Sequence, residues 1–259
     1  MVTLTLAFAL LFGLVLGSFA NVLIHRLPRG ESIVNPPSHC PRCGSPIRWF
    51  QNIPVASWVC LRGRCAACGG PIAVRYPAVE ASVGVLFLLS AWVWGPTFAG
   101  AAAGLFALLC VVLGLIDLEH QILPDRLTLP GIGLGLLFSP FLPWTNLTAS
   151  LAGAALGAAI PALLITLYAL FGIEAMGWGD VKFLAMVGAF LGWRGVLLTI
   201  LGGALLGTLL GGGYLLVTGK DRRTPLPFGT FLSAAALASL FFAGRFWAWY
   251  GALLGRLSP

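Results

Sequence analysis

Two aspartates are the strongest candidates for chemistry in this chain. Asp117 ends a long apolar run in GLIDLEHQILPD, and Asp180 stands in MGWGDVK between two further apolar runs. Only 9% of the residues are charged, and an ionisable group at a membrane boundary is costly to place. Two close carboxyls can share one proton, so that one activates a water while the other supplies a proton. The pair therefore indicates hydrolysis of a peptide bond without a nucleophilic side chain.

The same aspartates also have a structural interpretation, in which each caps a helix or pairs with a nearby cation. Arg126 is the neighbouring partner for Asp117, and Lys182 is the neighbouring partner for Asp180. A serine mechanism has little support, because Ser18 in GSFAN is not on a G-x-S-x-G turn and no Ser/His/Asp set is evident.

The elements that position these aspartates are predicted to be membrane helices. Hydrophobic residues make up 59% of the 259 residues, well above the share typical of a soluble domain. A membrane span needs about 20 mostly apolar residues. We predict an all-α polytopic membrane protein with about eight transmembrane helices, close glycine-mediated packing and these approximate spans: 3–24, 77–95, 97–116, 128–143, 149–172, 181–193, 195–218 and 229–250.

The charge distribution predicts the orientation of these helices. The first cations, Arg26 and Arg29, follow the first apolar run, which is typical of a retained span with its N-terminus outside. Twelve of the 15 Lys and Arg residues then fall in cytoplasmic segments, in agreement with the positive-inside rule. This topology places both aspartates near the cytoplasmic face. The net charge of +7 therefore indicates topology and contact with anionic membrane lipid, not nucleic acid as a partner.

Four cysteines form two CxxC pairs in the polar segment 25–76. CPRCG contributes Cys40 and Cys43, and CAACG contributes Cys65 and Cys68 after an interval of 21 residues. This spacing predicts a tetrahedral thiolate site, with zinc as the default metal and an iron or iron–sulfur site as the alternative. Two disulfides are disfavoured by the cytoplasmic placement. We expect the metal to be structural, because so short an insert has little apolar area of its own.

Three further residues near these motifs are expected to have no chemical role. Cys60 and Cys110 are interpreted as packed apolar residues. His39 is expected to be solvated, because four thiolates already complete the site. The predicted division of the chain is a first transmembrane helix (1–24), a cytoplasmic four-cysteine zinc-binding insert (25–76) and a transmembrane aspartyl peptidase core (77–259).

The motifs together resemble one family, the type IV prepilin leader peptidases that also act as N-methyltransferases. The GxGD motif alone is weak evidence for this family, because presenilin-like intramembrane proteases share it. The matching stretches, however, run in order through nearly the whole chain. They are GSFANVLIHRLP (17–28), CPRCG (40–44), LRGRCAACG (61–69), RYPAVE (75–80), DLEHQILPDRLT (117–128), EAMGWGDVKFLAMVGAFLG (174–192) and PFGTFLSA (227–234).

The resemblance implies an aspartic endopeptidase with a second activity. Asp117 and Asp180 take the places of the catalytic aspartates, and the four cysteines take the places of zinc-type ligands. The implied reaction is cleavage of a prepilin or pseudopilin after its leader glycine, in the bacterial inner membrane. The new N-terminal residue is then methylated with S-adenosylmethionine as donor. The sequence assigns no residue to the methyl-donor site.

Two departures from the family pattern are visible, and neither is expected to touch a catalytic position. Thr230 stands where PFGPF is the commoner form, which we interpret as a local turn difference, and Cys60 replaces an apolar residue. Glu119, Asp125 and Glu174 are acidic groups on the cytoplasmic side that could attract a basic leader, or could form local caps and ion pairs with Arg126 and Lys182.

Two alternatives to the bifunctional enzyme remain at the level of sequence. A peptidase that only cleaves would use the insert as structure or as a docking element. A transporter or assembly scaffold would use its intramembrane acids for ions or partners, although no internal repeat of the kind found in transporters is evident.

Overall fold

The computed structural model describes residues 2–172, 176–219 and 226–257 of the chain. These residues are helical and contain no β-strand, only isolated bridges that pair His39 with Pro46 and Arg64 with Pro71. The predicted all-α membrane fold is confirmed, because six helices in the described residues are long and apolar enough to cross a membrane. They are Thr3–Arg29, Arg75–Trp94, Phe98–His120, Leu147–Ala169, Trp178–Thr218 and Phe228–Leu254.

The first compact unit extends to Val112 and is built on two packed helices. Helix α1 (Val2–Arg26) lies along α3 (Arg75–Trp94), and the backbones approach closely because Gly17 has no side chain. A Cβ on Gly17 would lie 2.6 Å from the Cα of Glu80. Small residues at such a crossing are the usual way for membrane helices to associate.

The polar insert lies between α1 and α3 in the chain. It contains two single turns of 3₁₀ helix, Leu27–Arg29 and Trp49–Asn52, and one short helix, α2 (Ala56–Cys60). That a metal is needed to fold this insert stays a prediction.

The second compact unit begins at Leu113, inside α4. Most of its interior is supplied by α7, whose side chains Phe183, Met186 and Phe190 are fully buried. Helices α5, α6 and α9 pack against α7. The helices that contribute to this unit, together with a π-helical segment at Gly207–Gly211, are α4 (Phe98–His120), α5 (Asp125–Phe138), α6 (Leu147–Ala169), α7 (Trp178–Leu206), α8 (Gly212–Thr218) and α9 (Phe228–Leu257).

The predicted number of about eight spans is not confirmed. The segment 128–143 falls largely in α5, whose 14 residues extend only about 21 Å, less than the thickness of the hydrocarbon layer. The segments 181–193 and 195–218 lie in one continuous helical stretch, Trp178–Thr218. Gly192 interrupts that stretch, because its φ of 70° and ψ of −179° are not helical.

The interruption at Gly192 lies close to a hydrogen bond from outside the helix. Trp144, in the connection before α6, donates from its Nε1 to the carbonyl of Phe190 in α7 at 3.0 Å. This contact ties the connection before α6 to the interrupted part of α7. The predicted division into domains at residues 24/25 and 76/77 stays a prediction.

Candidate active site and metal centre

Asp117 lies in the last turn of α4 and is only 6% exposed. Its Oδ2 accepts a hydrogen bond from the backbone N–H of Thr230 at 2.7 Å, and Thr230 Oγ1 lies 3.2 Å from the same oxygen. Gly229 lies against the same carboxyl group, because a Cβ on Gly229 would lie 3.0 Å from Asp117 Oδ2. The start of α9 therefore surrounds one side of Asp117 with donors, and these donors satisfy a polar group that is otherwise costly to bury.

Asp180 lies in the first turn of α7 and is only 7% exposed. Its Oδ2 accepts from the backbone N–H of Gly177 at 3.3 Å, and its own backbone N–H donates to the carbonyl of Gly177 at 3.1 Å. These reciprocal contacts cap the N-terminus of α7, where a carboxylate also interacts favourably with the helix dipole. The predicted capping role of Asp180 is thus present, alongside any chemical role.

Leu123 packs between the start of α7, which carries Asp180, and the start of α9, which contacts Asp117. A Cβ on Gly179 would lie 3.0 Å from Leu123 Cβ, and a Cβ on Gly229 would lie 3.1 Å from Leu123 Cδ1. The carboxylates of Asp117 and Asp180 are close enough to repel each other electrostatically. The structure thus brings the two predicted site residues together in one buried place, while their catalytic role stays a prediction.

The acidic residues around this pair differ in their surroundings. Lys182 forms an ion pair with Asp125, with Nζ 2.6 Å and 2.7 Å from the two carboxylate oxygens, and does not form one with Asp180. Glu119 lies 3.9 Å from His120 Nε2. Glu174, the third acid predicted to face a basic leader, lies outside the described residues. Asp125 therefore matches the ion-pair interpretation.

The prediction that Thr230 touches no catalytic candidate is wrong. Its backbone N–H and hydroxyl both approach Asp117 Oδ2, as described above. One signal for this contact is present in the sequence, because a residue with an N–H replaces a proline that has none. The sequence did not reveal that α9 begins beside α4, since this contact joins residues 113 positions apart.

The candidate metal centre lies in the first unit. The Sγ atoms of Cys40, Cys43, Cys65 and Cys68 all lie within 4.8 Å of one another, and Cys40 and Cys68 are 4.0 Å apart. Four thiolates about 2.3 Å from one zinc ion would be roughly 3.8 Å apart, so the donor set fits a tetrahedral ion. The predicted cluster is thus compatible with zinc.

The two CxxC pairs have matching backbone geometry. The N–H of Gly44 donates to the carbonyl of Cys40, and the N–H of Gly69 donates to the carbonyl of Cys65, both at 2.9 Å. Gly44 and Gly69 have φ values of 69° and 68°, a region that favours glycine. Glycine at these two positions therefore permits the tight turn that closes each CxxC pair.

Local hydrogen bonds act differently on the thiols of the cluster. The hydroxyl and backbone amide of Ser45 lower the pKa of Cys43 to about 6. Backbone amides of Cys68 and Ala67 lower the pKa of Cys65. The backbone amide of Gly70 lowers the pKa of Cys68, but hydrogen bonds with Cys43 and Cys65 outweigh it and raise that pKa to about 11. Because the thiolate is the form that binds a metal, the backbone and hydroxyl donors favour binding at Cys43 and Cys65.

The other cysteines and His39 are placed as follows. Cys110 is fully buried in α4, as predicted. His39 is exposed, and its Nδ1 lies 3.1 Å from the carbonyl of Pro37, so the solvated interpretation is confirmed. The prediction that Cys60 is packed is wrong, because Cys60 is exposed at the end of the short helix α2.

Sequence comparisons match both parts of the chain to one group of proteins. Residues 11–94 match the bacterial peptidase A24 N-terminal domain, and residues 104–212 match the type IV leader peptidase family. A prepilin leader peptidase/N-methyltransferase of Stutzerimonas stutzeri is 38% identical over 93% of this chain and 92% of its own length. The chain belongs to the type IV leader peptidase family. Proteins of the same name from Aeromonas hydrophila and Pseudomonas aeruginosa are each 37% identical over 93% of this leader peptidase.

Membership confirms the predicted resemblance and the predicted enzyme class. The leader peptidase is a multi-pass membrane enzyme, so the alternative of a transporter or scaffold without enzymatic activity has no support. No solved structure gives a significant match to the leader peptidase.

Proposed function

We propose that this leader peptidase removes the leader of type IV prepilins or pseudopilins by an aspartyl mechanism. Asp117 and Asp180 are the residues that carry out the hydrolysis. The proposal is supported by one observation above all: two carboxyl groups, each less than a tenth exposed, lie together with one oxygen of each held by a backbone N–H.

In the proposed reaction, one carboxylate of the pair removes a proton from a water molecule. The water oxygen attacks the carbonyl carbon of the scissile bond, and the protonated partner donates its proton to the carbonyl oxygen. As the tetrahedral intermediate collapses and the C–N bond breaks, the first carboxyl group passes the proton taken from water to the leaving amine, and a hydroxyl of the intermediate returns a proton to the second aspartate. Two close carboxyls with one proton between them can hold both roles at once.

The second proposed activity is N-methylation of the amine that cleavage releases. The name N-methyltransferase, which the relatives carry, implies S-adenosylmethionine as the donor of the methyl group. The residues that bind this donor are not assigned. We propose a structural zinc ion on Cys40, Cys43, Cys65 and Cys68, where it would hold the two CxxC pairs together and take no part in either reaction.

The proposed setting is the bacterial inner membrane, with the N-terminus outside and the four-cysteine insert in the cytoplasm. The bias of Lys and Arg towards the predicted cytoplasmic segments supports this orientation. A prepilin or pseudopilin with a basic leader and one apolar helix then presents its scissile bond at the inner membrane edge. This setting accounts for a role in type IV pilus assembly or type II secretion.

The test is leader cleavage of a model prepilin in membranes that contain the full-length enzyme. Asp117→Asn and Asp180→Asn are expected to lose cleavage while still inserting, because neither variant can exchange the required proton at that position. Asp125→Asn is the matched control, since Asp125 is an exposed acid close in sequence to Asp117, and it is expected to retain cleavage. Cleavage at the wild-type rate by either site variant would overturn the proposed mechanism, which needs both carboxyl groups.

The same assay separates the bifunctional enzyme from a peptidase that only cleaves. A methyl-labelled S-adenosylmethionine is added, and the label on the new N-terminus is followed together with leader removal. Label in the mature product is the expected result. Complete cleavage without label would favour the enzyme that only cleaves.

A further inference from the structure

Thr230 is tied to Asp117 by both its backbone and its side chain. The backbone nitrogen lies 2.7 Å from Asp117 Oδ2. The hydroxyl oxygen lies 3.2 Å from the same Oδ2 and 2.9 Å from the carbonyl oxygen of Gly114, one turn earlier in α4. The approach is close because Gly229 has no side chain: a Cβ there would lie 2.9 Å from Asp117 Cγ.

These contacts occupy one oxygen of the carboxyl group selectively. A carboxylate oxygen has about two positions at which it accepts hydrogen bonds. At Oδ2 the backbone N–H of Thr230 fills one position, and the hydroxyl of Thr230 is placed to fill the other. A proton on Oδ2 would share that oxygen with the backbone donor and would require the hydroxyl to turn towards the Gly114 carbonyl, whereas neither of these two contacts of Thr230 reaches Oδ1.

The hydroxyl has a single hydrogen and two acceptors within reach. It can donate to Asp117 Oδ2 while that oxygen carries negative charge, and to the Gly114 carbonyl when it does not. Hydrogen bonds to charged acceptors are stronger than hydrogen bonds to neutral ones. Rotation about one side-chain bond therefore lets Thr230 follow the charge on Asp117 without any movement of the helices.

From this geometry we propose that Thr230 is a positioning residue for the peptidase reaction. It reserves Oδ1 of Asp117 as the oxygen that exchanges a proton with the hydrolytic water, and it stabilises the charge that Oδ2 retains. The inference rests on the proposed function of Asp117.

The test compares steady-state cleavage of a model prepilin by the full-length enzyme and its variants. Thr230→Val replaces the hydroxyl with a methyl group and keeps the N–H, and it is expected to lower kcat roughly tenfold with KM unchanged. Thr230→Ser keeps the hydroxyl and is expected to have a kcat close to that of the wild type. The matched control is Thr166→Val, since the Thr166 hydroxyl is exposed and donates only within its own helix.

Two results would overturn the proposal: a wild-type kcat for Thr230→Val, or an equal loss of kcat in Thr230→Ser. If Thr230→Val does not accumulate in membranes, Thr230→Ala removes the hydroxyl without added bulk and is held to the same expectations. Asp117→Asn is assayed in parallel. An inactive Asp117→Asn with a fully active Thr230→Val refutes only the role of Thr230, whereas an active Asp117→Asn refutes the proposed function itself.

Discussion

Lys182 Nζ lies 2.6 Å and 2.7 Å from the two carboxylate oxygens of Asp125. This contact joins the first turn of α5 to the first turn of α7, two residues after Asp180. Both side chains are substantially exposed, at 35% for Lys182 and 54% for Asp125. The ion pair is therefore a surface tie between two helix starts, next to the candidate active site.

Removal of this ion pair is expected to cost little stability. Exposed pairs contribute about 0.2–1 kcal/mol, because water screens the charges and both side chains lose freedom. Lys182→Gln and Asp125→Asn should each lower the free energy of unfolding by no more than about 1 kcal/mol, and should leave cleavage measurable. The measurement is a double-mutant cycle on unfolding in detergent. A coupling energy well above about 1 kcal/mol would show that the pair is far less screened than its exposure indicates.

If the four-cysteine cluster binds zinc, the zinc content of the enzyme should depend on these four cysteines and not on the other cysteine of the insert. Cys65→Ser is expected to lose most of the bound zinc, because a hydroxyl does not replace a thiolate in a tetrahedral site of four thiolates. Metal per purified enzyme is measured by elemental analysis. Cys60→Ser is the matched control, since Cys60 is exposed in the same insert but outside the cluster. Equal zinc content in the two variants would contradict the assignment.

The close crossing of α6 and α7 predicts that alanine substitution lowers stability at one glycine and not at another. A Cβ on Gly188 would lie 2.1 Å from the carbonyl oxygen of Gly153, so the two backbones would have to separate. Gly188→Ala is expected to lower the free energy of unfolding by about 1–3 kcal/mol. Gly133→Ala is the control, because a Cβ on Gly133 meets no atom within 4 Å, and the better helix former should leave stability unchanged or higher. Thermal unfolding in detergent distinguishes the two.

Long apolar runs made most of the fold predictable from the sequence. The apolar runs fall on all six of the long helices. In the hydrocarbon layer the backbone must satisfy its own hydrogen bonds, which favours helices, and a helix needs about 20 apolar residues to cross. Hydropathy could not decide how the short segments 128–143 and 181–193 should be counted. Whether each segment counts as a span depends on the length of α5 and on the backbone conformation of Gly192, and only the packed structure reveals these.

The site was predictable to the extent that it follows from residue type and spacing. Asp117 and Asp180 stand out because acids are rare in this chain, and the four cysteines stand out through their two CxxC pairs. The contact between Thr230 and Asp117 could not be predicted, because it depends on the long-range placement of α9. The sequence left Asp180 and Asp125 as alternative partners for Lys182, and only the packed structure shows that the ion pair is formed with Asp125.

A last prediction concerns Glu80, a buried acid of α3 that the proposed mechanism does not use. Its Oε2 accepts a hydrogen bond from the backbone N–H of Val55 at 2.7 Å. Val55 has φ 60° and ψ −50°, a conformation that a β-branched residue rarely adopts without support from its surroundings. Val55 directly precedes α2, so Glu80 anchors the part of the insert that leads to the second CxxC pair.

Loss of this anchor is expected to loosen the candidate metal centre. Glu80→Ala leaves the N–H of Val55 without its acceptor and should speed zinc release to a chelator roughly tenfold. Glu80→Gln keeps an acceptor oxygen at the same length and should release zinc at nearly the wild-type rate. Ser82→Ala is the matched control, because the exposed Ser82 hydroxyl donates only to Ala78 within α3. If Glu80→Ala released zinc as slowly as Ser82→Ala, the hydrogen bond to Val55 would not be what holds the insert in place.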